Sequence, residues 1–168
     1  MLAILLLMAA PVGDSTRQPE SRCPVAEAVA AGLSAAEERF LAACKAGETL
    51  RRAGWSDEWI LGALANAWHE SGWNPRAVGD RGHSVGFWQL NDRGLGKGMG
   101  DLRFDPLHAT SAVIGSAQRQ KVDVNGDDPE EAARIFCQLI MRPSDKRRKG
   151  ELRARTVRKL QRLTSESE

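Results

Sequence analysis

One carboxyl in this chain stands where acid–base chemistry could use it. Glu70 follows Trp68-His69 and precedes Ser71-Gly72-Trp73-Asn74-Pro75, so the spacing predicts a helix that ends at Gly72 and cannot resume before Pro75. The last turn of a helix has unpaired carbonyls and the negative end of the dipole, which disfavour a second negative charge. Trp68 and Trp73 flank the carboxyl in sequence, and rings walling it would add desolvation in the same direction. Glu70 is therefore expected to keep its proton, which is what a general acid near neutral pH requires.

The residues that follow make this carboxyl part of a pattern. After Glu70-Ser71-Gly72-Trp73-Asn74-Pro75 the chain reads Gly79-Asp80-Arg81-Gly82-His83-Ser84-Val85-Gly86-Phe87-Trp88-Gln89-Leu90. The stretch from Ile60 to Met99 resembles the active-site signature of the lysozyme-like superfamily: bacterial lytic transglycosylases, goose-type lysozymes and phage tail lysozymes. Phe104 to Leu163 resembles it more loosely, through the order of its helices. Where phage tail lysozymes often carry Glu-Arg-Pro, this chain has Met141-Arg142-Pro143.

The resemblance implies cleavage of the β-1,4 bond between N-acetylmuramic acid and N-acetylglucosamine in peptidoglycan, with Glu70 as the acid. It implies that Ser71, Trp73, Ser84, Gly86, Trp88 and Gln89 line the glycan cleft. Two further carboxyls bear on the mechanism. Asp80 matches an aspartate of goose-type lysozymes, while Asp92 falls one residue beyond their second, where this chain has Asn91. A hydrolase needs such a base or nucleophile, whereas a lytic transglycosylase can work with one carboxyl and the muramyl 6-hydroxyl. The displaced Asp92 favours the transglycosylase.

Other motifs point away from metals and cofactors. His69-Glu70 begins a zincin-like pattern, but the residue four after His69 is Trp73 instead of a second imidazole. Asp123-Val124-Asn125-Gly126-Asp127 imitates the start of an EF-hand loop, yet Asp128 replaces its glycine and Arg134 its bidentate glutamate. Gly94 to Gly100 lacks the ending of a P-loop. No metal and no cofactor is expected.

The elements that must position Glu70 follow from caps and breakers. Ser34 and Glu37 form a capping box before a helix running to about Ala53, and Ser56 caps the helix that delivers Glu70. Gly79 to Leu90 is glycine-rich and suits a small hairpin or loop lobe. Asp105-Pro106 starts a helix through about Gln118, and Asp128-Pro129 another over Ala132 to Met141. The last helix, about Lys149 to Leu163, is expected to place Leu152, Thr156, Leu160 and Leu163 on one side. Of the tryptophans, Trp59 and Trp68 are expected in the core. The fold class is mostly α (α+β): a lysozyme-like helical bundle with a small β-hairpin or loop lobe beside the catalytic helix.

Length and charge set the remaining bounds. The 168 residues suffice for one domain with a sizeable core, and the net charge of +2 excludes little. Residues 1–33 read as a possible signal or apolar segment, Leu2 to Ala10, followed by a linker. Residues 34–163 read as the catalytic domain and 164–168 as a disordered tail. An apolar start suits an exported envelope protein, and the small single domain suits equally a phage virion or lysis protein. Of three cysteines, Cys44 and Cys137 read as core residues, and Cys23 could pair with Cys44 in an oxidising compartment.

Between Arg142 and Arg162, ten Lys/Arg face only Asp145 and Glu151, so this helix suits an anionic cell-wall polymer. It lacks the aromatic interleaving that stacks bases, so no stable nucleic-acid partner is expected. The rival readings are a peptidoglycan-binding or virion module without chemistry, and a nucleic-acid binder acting through this helix. Neither needs a carboxyl at a helix end beside a glycine-rich turn. The sequence sets no oligomeric state.

Overall fold

The computed structural model describes residues 34–165. The expected N-terminal segment, with Cys23, and residues 166–168 lie outside the described residues.

Helix α1 (Ala35–Arg52) opens on a reciprocal cap. Ser34 Oγ accepts from the Glu37 N–H at 3.4 Å while the Ser34 N–H donates to Glu37 Oε2 at 2.7 Å. Helix α2 (Asp57–Ser71) opens on Ser56, whose Oγ accepts from the Trp59 N–H at 3.3 Å. It stops at Gly72, which takes the left-handed conformation at φ +62°. Ile60, Ala63, Leu64, Ala65 and Ala67 of α2 are all buried, so this helix has core on several sides and fixes where its C-terminal end points.

The lobe after α2 is a three-stranded antiparallel sheet of two-residue strands, β1 (Val78–Gly79), β2 (Ser84–Val85) and β3 (Leu90–Asn91), in that order. Val78 pairs with Val85 and Gly79 with Ser84; Ser84 pairs with Asn91 and Val85 with Leu90. Gly86 sets the turn between β2 and β3. At φ +79°, it lies where an added Cβ would come within 2.0 Å of the Arg103 carbonyl oxygen.

Helix α3 (Pro106–Arg119) starts at the expected Asp105 cap. Helix α4 (Pro129–Ile135) starts at Asp128, whose Oδ1 accepts from the Glu130 and Glu131 N–H groups at 2.8 and 3.2 Å. Instead of continuing as α-helix to Met141, the chain widens into a π turn over Phe136–Met141, ended by Arg142 at φ +50°.

The last helix, α5 (Lys146–Ser165), begins three residues before the expected Lys149 and remains helical past Leu163. Its buried stripe also differs from the expectation. Gly150, Arg153, Ala154 and Val157 face inward, while Leu152 is 46 % exposed. Gly150 and Ala154 make this a narrow face, and a Cβ at Gly150 would lie 3.6 Å from the Arg134 Cα, in ordinary van der Waals contact.

An aromatic cluster joins the body to the lobe. Trp55 and Trp59 meet edge to face with ring centroids 5.8 Å apart, and Trp88 lies 5.5 Å from Phe136. Trp59 is core as expected, but Trp68 is 45 % exposed. Cys137 is buried and Cys44 half-buried.

Candidate active site

Glu70 lies in the last turn of α2, one residue before the helix ends. The expected apolar enclosure is replaced by a cation, since Arg153 of α5 donates through Nη2 to Glu70 Oε1. The Arg153 side chain is 4 % exposed and that of Glu70 22 %. Arg153 Nη1 donates to the Lys149 carbonyl at 3.1 Å, and its Nε is buried without a partner among the described residues. A guanidinium removed from water needs an anion beside it, so α5 seats against α2 at this pair.

A groove of about 780 Å³ opens here, with His69 and Glu70 on one wall and α5 on the other. His69 Nε2 lies 2.7 Å from Thr156 Oγ1. Burial first, and then the Arg153 charge, hold the His69 pKa below its ordinary value, while Glu70 pulls the opposite way. Arg147, Arg148, Lys149 and Arg155 line the same groove, so the basic helix and the candidate acid share one face.

The tryptophans expected to line the cleft are core residues. Trp73 is 6 % exposed and donates from Nε1 to the Leu64 carbonyl at 2.8 Å. Trp88 is fully buried and donates to Thr110 Oγ1 at 2.9 Å. Each indole N–H therefore finds its acceptor inside the protein, and the large apolar surface goes with it.

The polar residues of the motif hold the lobe together. Ser71 Oγ donates to the Phe87 carbonyl at 2.7 Å, which ties the end of α2 to the chain after β2. Asn91 Nδ2 donates to Asp80 Oδ2 and to Ser84 Oγ, each at 3.1 Å. Gln89, at φ +49°, donates from Nε2 to the Gly86 and Ala77 carbonyls at 3.1 and 3.2 Å. Asp92 faces His83 Nδ1 at 3.1 Å, and that hydrogen bond, aided by the charges of His83, Arg103 and Arg93, outweighs burial to hold its pKa below the ordinary value. Asp80 and Asp92 thus belong to a hydrogen-bonded network of the lobe.

A second groove, about 430 Å³, runs between β3, α3 and the end of the π turn, and Gln89, Asn91 and Arg142 line it. Arg142 Nη2 donates to Gln120 Oε1 there at 2.7 Å. Glu70 and Gln89 therefore line different grooves.

Two residues were missed from the sequence. Arg153 was counted among surface cations, although its spacing from Gly150, Ala154 and Val157 marks it as lying on the narrow inner stripe. Arg103 has no such signal. It clamps the lobe by donating from Nη1 to the His83 and Leu90 carbonyls at 2.8 and 3.2 Å.

A helical body with a small antiparallel lobe beside a glutamate at a helix end defines the lysozyme-like class. The model of the phage tail lysozyme family matches residues 42–162, from within α1 nearly to the end of α5, and the chain belongs to that family. It is a lysozyme-like protein that acts on peptidoglycan by breaking glycosidic bonds, and its family is consistent with a place in the phage virion or in lysis. No curated protein and no solved structure matches the chain.

Proposed function

We propose that the protein cleaves the β-1,4 bond between N-acetylmuramic acid and N-acetylglucosamine by lytic transglycosylation, with Glu70 as the single acid and base. The placement of Glu70 carries this reading: a partly exposed carboxyl at the end of α2, on a groove wall, in a chain of this family. Glu70 gives its proton to the bridging oxygen as the C1–O bond breaks, and the bonding pair leaves with that oxygen. The muramyl 6-hydroxyl then attacks C1 and returns its proton to the Glu70 carboxylate, leaving a 1,6-anhydro end.

Arg153 donates through Nη2 to Glu70 Oε1 and so fixes the position of this carboxyl on the groove wall. The lobe's hydrogen bonds to Asp80 and Asp92 further support a mechanism that uses one carboxyl. The protein would work from the phage particle or at lysis, in keeping with its family.

Digested cell wall examined by mass spectrometry tests the reaction, with 1,6-anhydro ends expected; reducing ends would make it a hydrolase. Glu70→Gln is expected to lose clearance of a wall suspension by at least about a hundredfold. The variant leaves a buried guanidinium without its anion, at a cost of about 3 kcal/mol, so clearance is compared below its own melting temperature. Clearance at the wild-type rate by folded Glu70→Gln would refute the assignment.

A further inference from the structure

We propose that the groove between the end of α2 and the first half of α5 is a subsite for the carboxylates of the stem peptide that peptidoglycan carries on its muramic acid. The proposal rests on reading Glu70 as the acid.

Charge accounting across the groove carries the argument. Arg148 is occupied by Asp145 at 2.7 Å, Glu151 by Arg134 at 2.9 Å, and Arg153 by Glu70. Arg147, Lys149 and Arg155 line the same groove and have no ion pair among the described residues. Three cations are thus left for an anion next to the residue that would break the sugar bond. Arg153 itself is committed to Glu70 and to the Lys149 carbonyl, so it fixes the wall of the groove and leaves Arg147, Lys149 and Arg155 as its unpaired cations.

The lining also says which anion fits. Glu70, Asp145 and Glu151 interrupt the cations, and Leu152, 46 % exposed, lies among them. A continuous phosphodiester chain passing here would meet these carboxylates at close spacing. A stem peptide offers separate carboxylates with small apolar side chains between them, which suits spaced cations around an exposed leucine. It also hangs from the sugar on one side of the bond that Glu70 would protonate, so a ligand in this groove and a scissile bond at Glu70 can belong to one strand.

The test compares glycan strands bearing stem peptides with the same strands stripped by an amidase. Wild-type protein is expected to show a lower KM on the peptide-bearing strands. In the Arg147→Gln, Arg155→Gln double variant, KM should rise at least about fivefold more on those strands than on stripped ones. Calorimetry with the free stem peptide gives a readout independent of cleavage, with binding to wild type expected and its loss in the double variant. Thermal melting checks the fold.

Equal KM rises on both substrates, or no peptide binding by wild type, would overturn the proposal. So would tighter binding of duplex DNA than of peptide through these arginines at physiological salt. If peptide binding depends on the arginines but Glu70→Gln still cleaves wall, the acid assignment falls and the subsite stands as a binding site.

Discussion

His69 is a residue whose protonation the fold alters. It precedes Glu70, contacts Thr156 of α5, and faces both Arg153 and Glu70. Its pKa is lowered from 6.5, chiefly by burial, so as pH falls through 6.5 the unfolded chain takes up the proton while the folded chain does not. Stability from this site is therefore complete above 6.5 and declines between 6.5 and the lower folded value. Urea unfolding should show a loss of stability from about pH 7 to pH 5.5 that is smaller in His69→Gln. Parallel pH profiles for the two proteins would show that His69 contributes nothing to it. At this scale Glu70 could be picked out because a helix stop is a local signal. Its partner Arg153, 83 positions away in the chain, could not.

The lobe depends on backbone conformations that few residue types adopt. Gly82 and Gly86 both have positive φ, yet a Cβ at Gly82 would meet nothing within 4 Å, whereas one at Gly86 would strike the Arg103 carbonyl. Gly82→Ala should cost about 1 kcal/mol, from conformation alone. Gly86→Ala should cost about 3 kcal/mol or more, because the 3-10 turn Gly100–Phe104, which carries Arg103, must shift and release its clamp on the His83 and Leu90 carbonyls. Chemical denaturation of the two variants gives the comparison, and equal losses would mean that the close approach at Gly86 does not matter. The glycines between Gly79 and Leu90 mark the stretch as a turn-rich lobe, since tolerance of positive φ is a property of the residue itself. Which of Gly82 and Gly86 lies against another segment is a property of packing.

Across the whole molecule, Trp88 connects the lobe to the body. Its indole donates to Thr110 of α3 and packs on Phe136 of the π turn, so three elements meet on one side chain. Trp88→Phe should cost about 2–3 kcal/mol, from the lost hydrogen bond and the unfilled volume, while cleavage per folded molecule stays near wild type. A large loss of cleavage in well-folded variant protein would return Trp88 to the sugar site. Asn66 makes a similar connection within the body, donating from Nδ2 to the Gly62 and Ala133 carbonyls at 2.9 and 3.0 Å and so holding α2 against α4.

The sequence by itself determined the helix starts at Ser34, Ser56, Asp105 and Asp128, the stop at Gly72 with Glu70 in the last turn before it, and the glycine-punctuated lobe. Each of these depends on contacts between residues a few positions apart, which spacing alone specifies. Only the tertiary structure decided which tryptophans are buried, which stripe of α5 faces inward, and what stands beside Glu70. Trp68 and Trp73 look alike in sequence, but one indole finds the Leu64 carbonyl inside the core and the other does not. The side chain of Arg153 likewise could solvate a surface or pair with a carboxyl, and the choice was made by the seating of α5 against α2, which buries Arg153 beside Glu70, a matter of how distant helices pack.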